Sequence, residues 1–80
     1  MTITLKYFGL LADITQLKEE QFIFDEETVL VSALKSKIEI SYQKMQNTTY
    51  NIAVNQMIVD LQTKIKDQDV VAFLPPFAGG

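Results

Sequence analysis

The 80-residue sequence has no cysteine, no histidine and no tryptophan, and its seven basic residues are all lysine. Each absence removes a class of function. Without cysteine there is no disulfide, which fits a reducing compartment. Without cysteine or histidine there is no thiolate or imidazole metal site, and no nucleophile can be activated by a neighbouring imidazole. Without arginine or a basic cluster the chain lacks the electrostatic footprint of a nucleic-acid binder. The formal net charge is −3, which suits partners with basic surfaces. The start of the chain lacks the charged-then-apolar plan of a signal peptide. The apolar runs fall far short of the ~18 residues needed to span a membrane. A cytosolic protein with no membrane partner is expected.

What is present describes one small globular domain. Hydrophobic residues make up 48% and charged residues 21%, a balance that supports a core and argues against disorder. "TITLKYF" alternates, with Ile3, Leu5 and Tyr7 on one face and Thr4, Lys6 and Phe8 on the other, the mark of a half-buried strand. Gly9 punctuates it, and "LLADI" suits one short helical turn. "QFIFD" reads as a second strand, with Phe22 and Phe24 on one face.

The stretch "TVLVSALKSKIEISYQKMQ" predicts the main helix. Thr28 is its expected N-cap, with Glu26 and Glu27 at the positive end of the dipole. Leu30, Leu34, Ile38, Tyr42 and Met45 form the buried stripe. "YNIAVN" and "MIVD" read as short strands joined by a tight turn at Asn55-Gln56, "TKIKDQD" as a polar turn, and "VVAFL" as the last strand with Val71 and Phe73 inward. Early strands, one helix and later strands predict an α+β layer with the helix across one face of a mixed sheet. The simplest closure sets the first and last strands parallel at the centre, which is the β-grasp or ubiquitin-like roll. The expected division is a domain over residues 1–74 and an extended tail over residues 75–80.

That tail, "PPFAGG", carries the chemistry. Pro75 and Pro76 hold φ near −65° and stiffen the exit, so little entropy is lost when a partner grips it. Six residues reach at most ~20 Å. Gly79 and Gly80 have no side chains and can thread a channel closed to other residues. The reactive group they deliver is the Gly80 carboxylate. A carboxylate becomes an acyl donor when it attacks the α-phosphate of ATP and pyrophosphate leaves. A sulfur nucleophile that then displaces AMP leaves a thiocarboxylate, and a lysine amine leaves an isopeptide bond. With no cysteine in the chain, sulfur gained as a nucleophile would sit on Gly80.

"KYFGLLADI", "AVNQ" and "VVAFLPPFAGG" together resemble the MoaD-like sulfur carriers, the small subunits of molybdopterin synthase, over the whole chain. The resemblance implies that an E1-like adenylating enzyme activates Gly80 with ATP, and that a sulfurtransferase supplies persulfide sulfur. It also implies that the large subunit takes the thiocarboxylated tail and passes the sulfur to cyclic pyranopterin monophosphate, in a heterotetramer. No cofactor is expected on the carrier, and no turnover from the chain alone. Gly80 corresponds to the adenylated and thiolated residue and Gly79 to its threading neighbour. Phe8 and Leu74 correspond to apolar contacts for partners, and Pro75, Pro76, Phe77 and Ala78 extend that interface. Two positions depart from the family. Ala12 stands where a basic residue is common, and Gln68-Asp69 stands where Gly-Asp is usual. A left-handed Gln68 would cost about 1 kcal/mol. A thiamine-type carrier or a ubiquitin-like modifier is the alternative reading.

The remaining polar residues point to no catalytic pair. Glu19, Glu20, Asp25, Glu26 and Glu27 lack a metal-ligand spacing and read as a solvated face with dipole charges. Glu39 reads as a surface residue, Asp67 and Asp69 as turn residues, and Met45 and Met57 as core fillers.

Overall fold

A computed structural model describes residues 1–76. The chain runs β1 (Thr2–Tyr7), α1 (Leu10–Thr15), β2 (Glu19–Ile23), β3 (Thr28–Leu30) and α2 (Val31–Ser41), followed by a 3-10 turn (Gln43–Asn47). It continues through β4 (Asn51–Val54), β5 (Met57–Ile58), β6 (Lys64–Lys66) and β7 (Val70–Leu74). Five strands form one sheet in the order β2-β1-β7-β4-β5. At its centre β1 and β7 run parallel, with Leu5 beside Val71 and Tyr7 beside Phe73. This is the β-grasp roll, and the first and last strands meet where the alternating patterns require.

Alternation is why the sheet has one wet and one dry face. Ile3, Leu5, Tyr7, Val71 and Phe73 are buried beneath α2, where they meet Leu34, Ile38 and Met45. Burying a large side chain of this kind contributes roughly 1.5–3 kcal/mol. Phe22 and Phe24 do share a face, with ring centroids 5.1 Å apart, and Lys37 Nζ lies 5.2 Å from the Phe24 ring. Their strand begins earlier than "QFIFD", at Glu19.

The helix starts later than its periodicity suggests. Thr28 caps nothing, because Thr28–Leu30 is itself a strand paired with Lys64–Lys66. Val31 rather than Leu30 enters the core, and Leu30 stays exposed. The first helical amides are satisfied across the fold. Val31 N–H donates to the Thr63 carbonyl at 2.8 Å and Ser32 N–H to the Leu61 carbonyl at 3.0 Å. No acidic residue lies in the first turn, so Glu26 and Glu27 do not serve the dipole. The same pairing overturns the reading of "TKIKDQD" as turn alone, since Ile65 of β6 is fully buried. Tyr42 and Met45 lie beyond α2, in and beside the 3-10 turn, with Met45 buried and Tyr42 half-buried. Met57 sits on the edge strand β5 and is exposed, not core.

Two turns hold the last strand in register. Asn55 and Gln56 both have positive φ, 50° and 73°, as a two-residue hairpin requires. Gln68 adopts φ 71°, a left-handed backbone that glycine takes most readily. Asp69 is buried between these turns. Its carboxylate accepts from Asn55 Nδ2 at 3.0 Å and from the Lys66 amide at 2.8 Å. Among the described residues no helix is long and apolar enough to cross a membrane.

Candidate functional site

The site is built where β7 runs out. Hydrogen bonding between strands needs an N–H at alternate residues, and Pro75 and Pro76 have none. β7 therefore ends at Leu74, whose cross-strand partner is Asn51. On the other flank β1 ends one pair earlier, and Phe8 N–H donates to the Phe73 carbonyl at 3.1 Å. The exit thus lies between the end of β1 and the start of β4, on the central strand of the sheet.

The face of the sheet opposite α2 mixes polar and apolar residues beside this exit. Lys6, Ala72, Ala53 and Ile58 line up across β1, β7, β4 and β5. The next row toward the exit holds Phe8, Leu74 and Asn51. Phe8 is 45% exposed and Ile58 65% exposed, while Leu74 and Pro75 are half-buried and Pro76 is exposed. Phe8 is not part of the buried core. Exposed aromatics often centre binding patches, and Phe8 is the exposed aromatic beside the exit. Sequence reasoning singled out Phe8 and Leu74, and the structure places both at the exit. It missed Ile58, which was one apolar residue in a run of three, and Asn51, whose position opposite Leu74 depends on register. Phe77, Ala78, Gly79 and Gly80 lie outside the described residues.

Behind the face, two carboxylates brace the central strands. Tyr7 Oη donates to Glu20 Oε2 at 2.6 Å, and Tyr42 Oη donates to the same oxygen at 3.1 Å. Glu39 accepts from Lys35 Nζ at 2.6 Å and from Tyr50 Oη in a short bond. Neither glutamate is the free surface charge that the sequence suggests. Phe73 is held between the two bracing tyrosines, with centroids 5.3 Å from Tyr7 and 5.8 Å from Tyr50. Burial, reinforced by the Glu20 carboxylate, pushes the Tyr7 and Tyr42 phenols up. Burial and the Glu39 carboxylate do the same to Tyr50. Burial alone would raise Glu39, but the bonds from Lys35 and Tyr50 outweigh it and its carboxyl is lowered. These phenols are therefore protonated near neutral pH.

Among the described residues no group of three or more acidic side chains converges to hold a metal ion. A surface hollow of about 530 Å³ lies between α1 and the 3-10 turn and is lined by Leu10, Asp13, Ile14, Gln16, Lys44 and Thr48. Among the described residues, the arrangement directs the chain out of the sheet at Pro75-Pro76 beside the exposed Phe8.

The ThiS family pattern matches residues 5–80. A molybdopterin converting factor subunit 1 from Pyrococcus furiosus is similar at 26% identity and TM-score 0.87, covering 96% of this chain and 99% of that one. Subunit 1 or 2 in the complex of the Helicobacter pylori molybdopterin-converting factor is similar at 30% identity and TM-score 0.65, covering 100% of both chains. The small archaeal modifier protein 1 of Haloferax volcanii, at 14% identity and TM-score 0.81 over 95% of this chain and 98% of that one, shares the fold. The chain belongs to the ThiS family, as a ThiS/MoaD-type sulfur carrier on a ubiquitin-like fold.

Proposed function

We propose that this chain is the sulfur-carrying small subunit of a molybdopterin synthase. The observation that carries the reading is the exit itself. The central strand delivers Leu74-Pro75-Pro76 beside the exposed Phe8, and Gly79-Gly80 follows in sequence. The full-length similarity to a chain of the Helicobacter pylori two-subunit complex supports a partner that takes the arm.

In the proposed cycle the Gly80 carboxylate oxygen attacks the α-phosphorus of ATP in an adenylating partner, and pyrophosphate leaves. A persulfide on a sulfurtransferase attacks the acyl carbon, and AMP leaves with the carboxyl oxygen. A second thiol then reduces the acyl disulfide, giving the Gly80 thiocarboxylate and a disulfide on the donor side. The arm enters the large subunit, where the sulfur moves to cyclic pyranopterin monophosphate and water restores the carboxylate. The carrier contributes the arm, Phe8 and Leu74 as contacts, and no acid or base.

The test is reconstitution. The thiocarboxylated chain, mixed with a molybdopterin synthase large subunit and cyclic pyranopterin monophosphate, is expected to yield the dithiolene product. Transfer to a thiazole precursor instead, or isopeptide linkage of Gly80 to lysines of other proteins, would assign the chain to the thiamine-type or modifier alternative. Product formed by the chain alone would contradict the division of labour.

A further inference from the structure

We propose that Gly9 and Asn51 form a two-point guide that fixes the direction in which the arm leaves the sheet. Both are positioning residues, and the proposal rests on the carrier reading for its consequence in delivery.

On the β4 flank, the backbone ladder can go no further than the Asn51–Leu74 pair, because neither proline donates. The Asn51 side chain takes over. Its Nδ2 donates to the Pro76 carbonyl at 3.0 Å, two residues beyond its own cross-strand partner. A side-chain amide thus supplies the donor that holds the chain in line after the backbone donors end.

On the β1 flank the contact is steric. Gly9 has φ 56° and ψ −131°, a conformation that side chains strongly disfavour. A Cβ built there would stand 2.9 Å from Pro75 Cγ and 3.8 Å from Cδ. The Pro75 ring therefore rests directly against the Gly9 backbone. The neighbouring bond from Phe8 N–H to the Phe73 carbonyl, 3.1 Å long, locks this bed to β7. A hydrogen bond on one side and a ring packed on backbone on the other leave the two prolines one path.

The guide matters because reactions at the end of an arm depend on its aim. Displacing a reacting group by about 1 Å can cost roughly 100-fold in rate, and prolines that are stiff but misdirected cannot correct it. The Asn51–Pro76 bond is exposed, so its loss should hardly touch folding. Its effect belongs in delivery.

The absence of cysteine makes the direct experiment clean. Cysteines introduced by Ala78→Cys and Ser36→Cys carry two nitroxides, and their distance distribution is measured in the chain with Asn51 and Gly9 intact, with Asn51→Asp, and with Gly9→Val. On unlabelled chains, ATP–pyrophosphate exchange is measured with an adenylating enzyme of the ThiS/MoaD family. Asn51→Asp keeps the shape and loses the donor. It should broaden the distribution, leave the melting temperature unchanged and lower kcat/KM by about 3- to 10-fold, while Asn51→Gln restores part of the rate. Gly9→Val should move the centre of the distribution. An unchanged distribution in Asn51→Asp, or an unchanged rate behind a broadened one, overturns the guide. If the intact chain is not adenylated at all, the carrier reading falls, and the distance distribution alone decides the guide.

Discussion

Tyr7 and Phe73 stack on adjacent parallel strands, 5.3 Å between ring centroids and 21° between planes. The pair joins the first strand to the last, and Tyr50 closes on Phe73 from the other side. Phe73→Ala should therefore remove about 3–5 kcal/mol. A domain of this size holds roughly 4–12 kcal/mol in all, so the variant should be marginal or unfolded in urea titration. A loss under about 1 kcal/mol would mean the core closes elsewhere.

Stability should fall on the alkaline side. Tyr7, Tyr42 and Tyr50 have folded-state pKa values raised by burial and by their carboxylate partners. A raised pKa means the folded chain keeps a proton that the unfolded chain gives up. The stabilisation is whole below the ordinary tyrosine value of ~10 and is lost as pH rises past it. Glu39 has the opposite sign. Its lowered pKa contributes stability above the ordinary carboxylate range that fades as pH falls through it. Melting temperature against pH should drop above about pH 10, and Tyr7→Phe should flatten that limb. An alkaline limb as steep in Tyr7→Phe as in the parent chain would contradict the assignment.

The two left-handed turns predict opposite outcomes. Asn55 has φ 50° and binds both Asp69 and the Val70 amide through its side chain. Asn55→Ala should cost about 2 kcal/mol, from strain plus lost hydrogen bonds. Gln68 has φ 71° and its side chain is exposed. Gln68→Gly should be neutral to stabilising by about 1 kcal/mol, as relief of strain offsets the added freedom of the unfolded chain. Calorimetry of both variants separates them by sign.

Phe8 should behave as a contact and not as core. Phe8→Ala is expected to change stability by about 0.5 kcal/mol or less, yet to weaken capture by the large subunit roughly 30-fold if it anchors the interface. Titration calorimetry against that subunit checks it. A stability loss with unchanged affinity would return Phe8 to a structural role.

The sequence made some of this legible because the signal was local. Period-two alternation in "TITLKYF" and "VVAFL" placed the two central strands and the faces of Ile3, Phe8 and Phe73. Three-residue strands carry no such period. Thr28–Leu30 blends into the helical pattern that follows, and only the partner strand around Ile65 separates them. Glu20 and Glu39 looked like solvated charges because their tyrosine partners lie 13, 22 and 11 residues away. Met57 looked like core because hydrophobicity does not reveal an edge. At the exit, the exposure of Phe8 and the end of β7 at the prolines were legible from type and position. Gly9 and Asn51 were not, since their contacts with Pro75 and Pro76 come from register and backbone angle.

The most direct test of the account is the intact mass of the chain after incubation with a family adenylating enzyme, ATP and a persulfide donor. The account predicts a gain equal to one oxygen exchanged for sulfur, localised by fragmentation to Gly80, and abolished by one residue added after Gly80 while folding is unchanged. A mass that stays constant under conditions that thiolate a known carrier would contradict it.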